Sequence, residues 1–258
     1  MMTKARFISL LMIGILWNSF EKNVVAQNTR TDNILEFVNR VARQLSINCS
    51  KTIEVNYKSQ EIISPDRTKS VYFEAITRNI NSASNSPNTS CPIGNGGTPV
   101  AKMIQTESSR KQEIDFHSFL GDRYNTRSSA TVINPISWSS DSRYLLVRVD
   151  FLAGYDGHSD HLIFDAENNY RLVSFQPNSL FSPCNKTEIG SNFLGFTSTN
   201  IAAFECQNYG EPGYIEILDL QRRRLQRVNR LETNQRLQNY GRVSSFSEIK
   251  KVQEFQGR

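Results

Sequence analysis

The sequence predicts an all-β protein with one N-terminal helix, and three observations support this prediction. Apolar residues alternate with other residues at period two in much of the chain after Asn48. Short polar turns separate these alternating runs, and three stretches of the chain resemble one another. Because successive side chains of a strand point to opposite faces of its sheet, such alternation is typical of strands with one buried face.

Residues 1–26 have the properties of a secretory signal peptide. Lys4 and Arg6 precede an apolar run over 7–17, and 24–26 provides the small residues that a signal peptidase requires. Such a run makes a helix of roughly 16 Å, about half the thickness of a bilayer core, so it spans a membrane poorly. We therefore expect a periplasmic or secreted protein with no stable membrane insertion after cleavage. The alternative is an uncleaved membrane anchor.

Cleavage after residue 26 of 258 leaves 232 residues, enough for one large all-β domain or two small ones. The net charge falls from +5 to +3, because the removed segment carries three basic residues and one acidic residue. Five arginines form a basic cluster, at Arg222, Arg223, Arg224, Arg227 and Arg230. Such a cluster can bind phosphate or acidic polymers, but an exposed charge run is more often a solvated strand and turn. Export argues against nucleic acid as a partner.

Four cysteines remain after cleavage: Cys49, Cys91, Cys184 and Cys206. An even number in an exported protein favours disulfides, and four cysteines allow three pairings. We favour Cys184–Cys206 and Cys49–Cys91, because each pair lies within one local unit of the chain. A closed loop of about 20 residues stabilises a protein by roughly 3 kcal/mol in the chain-entropy model.

A polar segment and an amphipathic helix are predicted over 27–48. Apolar residues spaced by four, three and four positions mark one face of this helix: Ile34, Val38, Val41 and Leu45. We expect this face to pack on the domain, with partner binding as the alternative.

Alternation predicts strands over 71–76, 144–151 and 214–218, and residues 81–98 predict a long loop. The C-terminal segment 231–258 is polar. Within it, Ser245 and Glu248 have the spacing of a capping box and predict a short terminal helix.

The three similar stretches occupy 63–74, 136–147 and 194–204. Each places an apolar residue before a tight polar turn, which is followed by an apolar strand. The polar turn residues satisfy their own backbone, and the flanking strands form a hairpin. A second strand unit follows the later two stretches, at 156–168 and 213–220.

This order resembles the TolB-type, WD40-like β-propeller repeat. The run Trp138-Ser139-Ser140-Asp141-Ser142-Arg143 is similar to its first turn, and 156–166 is similar to its D-G-x-x-D loop and following strand. The resemblance covers roughly residues 60–230. It implies a β-propeller-like domain over 49–230 with three or four blades, in a closed or incomplete ring, and protein partners reached across one face. The three stretches start further apart than the roughly 40–45 residues of a typical propeller repeat.

The run Asp156-x-His158-x-Asp160-His161 is a candidate metal site. Zinc is disfavoured, because the one other histidine, His117, lies upstream and zinc needs more imidazole ligands. Calcium binding by Asp150, Asp156 and Asp160 is the alternative, since hard cations take clustered oxygens. We favour the interpretation that this run is a polar loop between strands. We therefore expect no cofactor, with calcium as the one alternative.

No G-x-S-x-G elbow or phosphate-binding loop is present in the sequence. The leading hypothesis is therefore an exported, non-catalytic binding or scaffold protein with a protein partner. The alternatives are a secreted hydrolase acting on a glycan or a peptide, and a calcium-stabilised structural protein.

Overall fold

The computed structural model describes residues 29–31, 53–79, 100–107, 110–115, 129–153, 156–173, 184, 191–197, 201–208, 211–229, 231 and 236–254. These residues form antiparallel β-sheets and one short 3-10 helix, Ala166–Asn168. The predicted all-β, propeller-like class is confirmed. The signal peptide, the helix over 34–45, the 81–98 loop and the Cys49–Cys91 pair lie outside the described residues. Within the described part of the chain, no helix has the length and apolar content needed to cross a membrane.

Sheet 1 has eight strands and contains both early and late parts of the chain. Its strands are β1 (Thr29–Thr31), β2 (Ile53–Lys58), β3 (Glu61–Ile63), β4 (Lys69–Asn79), β5 (Val100–Glu107), β6 (Arg110–Asp115), β15 (Arg242–Ser245) and β16 (Ser247–Glu254). The main order is β1-β16-β2-β4-β3-β15, and β5 pairs with β4 and β6.

Sheets 2 and 3 each have four strands formed from consecutive chain segments. Sheet 2 has the order β10-β9-β8-β7, from β7 (Ser129–Trp138), β8 (Tyr144–Ala153), β9 (Asp156–Asp165) and β10 (Arg171–Leu172). Sheet 3 has the order β11-β12-β13-β14, from β11 (Ser191–Phe196), β12 (Ile201–Asn208), β13 (Glu211–Asp219) and β14 (Arg224–Val228).

Sheet 2 is the middle layer of the three. Val147 on β8 belongs to one apolar cluster with Phe73 of sheet 1. Its neighbour Leu146 points to the opposite face and belongs to a second cluster with Phe204 of sheet 3. Sheet 2 therefore buries apolar side chains on both faces, as a strand layer between two others must.

The turn between β7 and β8 is built by its own side chains. The Ser139 hydroxyl donates to Asp141 Oδ1 at 2.6 Å and accepts from the Tyr144 amide at 2.8 Å. Asp141 Oδ1 also accepts from the Arg143 amide at 3.1 Å. Ser142 takes the left-handed conformation that closes the turn, with φ 61°.

The predicted repeat turn of sheet 1 uses the same chemistry, and that of sheet 3 shares one of its hydrogen bonds among the described residues. Ser64 donates to Asp66 and accepts from the Lys69 amide at 3.0 Å, the same pattern as in the turn of sheet 2. In sheet 3 the turn is one residue shorter, and the Thr197 hydroxyl accepts from the Ile201 amide at 3.3 Å. The repeat detected in the sequence is therefore a repeat of turn hydrogen bonds.

Residues 236–243, called here the crossing segment, run along one edge of all three sheets. Gln238 bridges to Phe196 of β11, Tyr240 bridges to Trp138 of β7, and Arg242 pairs with Ile63 of β3. The three residues contacted on the sheets are the residues that precede the repeat turns. The crossing segment thus links equivalent positions of the three sheets.

The prediction of a short C-terminal helix is wrong. Residues 242–254 form β15 and β16, and β16 pairs with β1 on one side and β2 on the other. Ser247 and Ile249 are buried while Lys250 and Lys251 are exposed, with an irregularity in pairing between Ile249 and Lys251. Long-range pairing overrides the local capping-box signal, because it supplies both backbone partners and burial.

Candidate functional site

The predicted disulfide between Cys184 and Cys206 is present, with the two Cα atoms 5.3 Å apart. Cys206 lies on β12, where it is fully buried. Cys184 has a left-handed backbone, with φ 66°, and is also buried. The bond fixes the backbone at Cys184 against the inner face of sheet 3, the face turned towards sheet 2.

Glu216 on β13 is a buried acid beside this disulfide. Its Oε2 accepts a hydrogen bond from the Cys184 amide at 2.8 Å, and its Oε1 lies 3.6 Å from Nη2 of Arg227. A buried carboxylate is costly unless such partners compensate its charge. The sequence indicates this burial through spacing. Glu216 is two residues from the buried Leu218, and residues two apart in a strand lie on the same face.

Glu216, Cys184 and Cys206 also form the one group of potential metal-binding side chains found among the described residues. Their ligand atoms lie within 4.8 Å of one another. Metal binding by cysteine requires thiolates, and the two sulfurs here are bonded to each other. The group is therefore a structural link between the disulfide and β14.

Arg227 connects this buried link to the surface of β14. Its guanidinium lies 3.8 Å from the centre of the Tyr214 ring, within the range of a cation–π contact. The ion pair with Glu216 holds the same group, yet the side chain is 52% exposed. Arg227 thus presents a held, half-exposed guanidinium, paired with Glu216, at the edge of sheet 3.

The turn before β14 adds further positive charge. The Arg222 amide donates to Asp219 at 2.8 Å, and its guanidinium lies 3.5 Å from the same carboxylate. Arg223 takes a left-handed conformation, with φ 53°, and both Arg223 and Arg224 are exposed. Neither makes an ion pair with another described residue. The four described arginines of the cluster are exposed on a strand and its preceding turn, and Arg230 lies outside the described residues.

The register of β8 and β9 gives the three predicted calcium ligands separate positions in sheet 2. Strands β8 and β9 pair in unbroken antiparallel register, so residues opposite each other share a face. Asp160 pairs with Val149, whose face is turned to sheet 1, and Asp156 has the same parity as Asp160. Asp150 pairs with Ser159 and takes the opposite face. Calcium binding by these three residues stays a prediction.

Asp150 has a different partner in the structure. Its Oδ2 lies 3.1 Å from Nε of Arg148, two residues earlier on the same face of β8, and its side chain is 4% exposed. This guanidinium neutralises the buried carboxylate.

His161 and Ser191 form a contact between sheets 2 and 3 that the sequence analysis did not predict. The His161 Nδ1 lies 2.7 Å from the Ser191 hydroxyl, and the imidazole packs against the Phe204 ring with centroids 5.4 Å apart. Burial, together with the charge of Arg148, lowers the pKa of His161 to about 3. A general base works best with a pKa near the working pH. The hydrogen bond and the ring contact join sheets 2 and 3 at this point.

The low pKa of His161 predicts that acid destabilises the protein. Unfolding returns the imidazole to a pKa near 6.5, so the unfolded state binds an extra proton as the pH falls from about 6.5 towards 3. We expect the free energy of unfolding to fall by up to about 1.4 kcal/mol per pH unit in this window. Urea denaturation between pH 4.5 and pH 6.5 measures this slope.

The His161→Gln variant is the matched comparison, because it fills a similar volume without titrating. Its unfolding free energy should depend less on pH than that of the wild type over the same window. The carboxyl of Asp66, whose pKa is lowered to about 2, contributes only at lower pH. If the unfolding free energies of the two proteins depended equally on pH, the attribution of the pH dependence to His161 would be contradicted.

No model of a known protein family matches the sequence, and no curated protein matches it. Among solved structures, the crystal structure of TolB from Acinetobacter baumannii is similar, with 11% sequence identity and a TM-score of 0.26. The aligned region covers 74% of this chain and 55% of the TolB chain. A likeness of this size supports no conclusion about function, and the fold class rests on the sheets themselves.

Proposed function

We propose that the chain is an exported protein-binding module and that it contacts its partner through the exposed edge of sheet 3. The observation that carries this proposal is β14, an arginine-rich edge strand. Its residues 224–227 are all exposed, and Leu225 is one of the few large apolar side chains exposed in the described structure, at 39%. An edge strand offers backbone N–H and C=O groups for pairing with another chain.

Two features support export. The properties of residues 1–26 favour a signal peptide. The Cys184–Cys206 disulfide is of the kind that persists in oxidising compartments such as the periplasm. Both features agree with a partner met outside the cytoplasm.

Site-specific cross-linking in the native compartment tests this function. A photoreactive side chain at Gln226, which is exposed on β14, should capture one reproducible protein. The same group at Lys251, which is exposed on β16 of sheet 1, is the control and should not capture it. Capture of the protein should also decrease when Arg223→Glu and Arg224→Glu are added to the Gln226 probe.

Equal capture at the two positions would contradict a role for β14. Capture of polysaccharide alone would favour the hydrolase or a small-ligand binder in place of a protein-binding module.

A further inference from the structure

We infer that β14 binds an extended acidic peptide, which adds to sheet 3 as a fifth strand. This inference rests on the proposed function and specifies the chemistry of the partner segment. It follows from the edge position of β14 among the described strands, from the alternation of its side chains and from their charge.

The backbone of β14 provides the first step. Its residues pair in antiparallel register with β13. Arg224 lies opposite Asp219 at one end, and Val228 lies opposite Ile215 at the other. Among the described strands, β13 is its one neighbour, so the other side of β14 is an edge. An extended peptide can continue the ladder there through main-chain hydrogen bonds.

The register with β13 shows which face each β14 residue occupies. Arg227 is opposite the buried Glu216, and Leu225 is opposite the buried Leu218, so both lie on the face turned towards sheet 2. Arg224 and Gln226 have the other parity and lie on the outer face. An arginine side chain is therefore present on each face of the edge, and the apolar Leu225 lies between the two in sequence.

The arginines differ in how much of their charge is engaged. Arg224 makes no ion pair with another described residue and is exposed. Arg227 is held by Glu216 and the Tyr214 ring, but about half of its side chain faces solvent. A guanidinium has five N–H donors, so an arginine held by one carboxylate keeps donors for a second.

These positions define the sequence of the peptide. Residues directly opposite each other in adjacent strands have Cβ atoms about 4.5–5.5 Å apart and pair on the same face. A strand antiparallel to β14 therefore places an acidic residue opposite Arg227, any residue opposite Gln226, an apolar residue opposite Leu225 and an acidic residue opposite Arg224. The pattern from N- to C-terminus is acidic, any, apolar, acidic.

The arginines of β14 have a second explanation, which is that their charge prevents the exposed edge from pairing with other chains. Protection requires only charge, whereas peptide addition requires a matched charge at a fixed register position. Charge exchange between protein and peptide distinguishes the two explanations.

The experiment measures fluorescence polarisation of a labelled peptide with this pattern against the full mature chain. We expect saturable binding, and an affinity about tenfold lower for Arg224→Glu, because attraction becomes repulsion at one pair. A peptide with lysine opposite position 224 should bind Arg224→Glu better than it binds the wild type. Lys251→Glu makes the same charge change on sheet 1 and should leave binding unchanged.

Two further ligands complete the test. Methylation of the peptide backbone nitrogens that would pair with β14 should abolish binding, because it removes the ladder donors. Dextran sulfate should compete only weakly. No saturable binding, equal binding of the methylated peptide, or failure of the lysine exchange would each overturn the inference, the last two indicating a general polyanion site. Protein capture at Gln226 without peptide binding would overturn this inference alone, whereas absence of both would overturn the proposed function as well.

Discussion

Gly241→Ala should lower the free energy of unfolding by about 2–5 kcal/mol, one of the largest effects of any single methyl group in this protein. Gly241 has φ +91°, a conformation that L-residues with side chains rarely adopt. A Cβ at this position would lie 2.8 Å from the Ile63 carbonyl oxygen and 2.9 Å from Cδ1 of Trp138. Neither atom can easily move, because one is backbone and the other belongs to a fully buried ring.

Urea denaturation of the mature protein measures this effect. Val243→Ala is the control, two residues further along the chain and 43% exposed, and it should change the stability by less than about 0.5 kcal/mol. A Gly241→Ala protein as stable as the wild type would show that the crossing segment does not pack closely on sheets 1 and 2.

Trp138→Ala should cost about 3–5 kcal/mol of stability, because it leaves a large cavity in the cluster between sheets 1 and 2. Trp138 is fully buried and contacts the Tyr170 ring edge to face, with centroids 6.4 Å apart. Its Nε1 has no hydrogen-bond partner among the described residues. Trp138→Phe should therefore cost much less than Trp138→Ala, since it keeps an aromatic ring and loses no hydrogen bond.

Calorimetric or denaturant unfolding of the two Trp138 variants provides the comparison. Tyr170→Phe is an additional control, because the Tyr170 hydroxyl is also buried without a hydrogen-bond partner in the described structure. Its removal should be neutral or slightly stabilising. Equal losses for Trp138→Phe and Trp138→Ala would contradict the expectation that an aromatic ring at this position preserves most of the stability.

The sequence alone was sufficient for features that depend on local chemistry. The Ser139–Asp141 turn is formed by residues two positions apart, and the Cys184–Cys206 bond joins residues of one local unit. The solvated strand and turn at Arg222–Arg227 also follows from charge within a few residues. Such features depend little on the rest of the fold.

Features that depend on the register between distant strands could not be read from the sequence. The Ser245 and Glu248 spacing resembles a helix start, yet these residues pair with β3 and β2. The crossing segment carries mostly polar residues with no repeat signature of its own, so nothing in it indicates three separate sheet contacts. Tertiary pairing overrides such local propensities.

The candidate sites show the same division. Asp150, Asp156 and Asp160 are close in sequence, but only the pairing of β8 with β9 shows that Asp150 lies on the opposite face from the other two. His161 and Ser191 lie on different sheets, and no local pattern connects them. The position of Glu216 beside the disulfide likewise required knowledge of the packing around β13.

The location of β16 has a consequence for the order in which the protein can fold. Because β16 lies between β1 and β2, Thr29 cannot meet its partner Ile249 until nearly the whole described chain has been synthesised. Non-local pairing of this kind is slow to nucleate, and unpaired strand edges are prone to aggregation until they pair. Sheets 2 and 3 and strands β2 to β6 of sheet 1 pair between consecutive segments and can form earlier, so β1 and the side of β2 that receives β16 are the strand edges that stay unpaired longest.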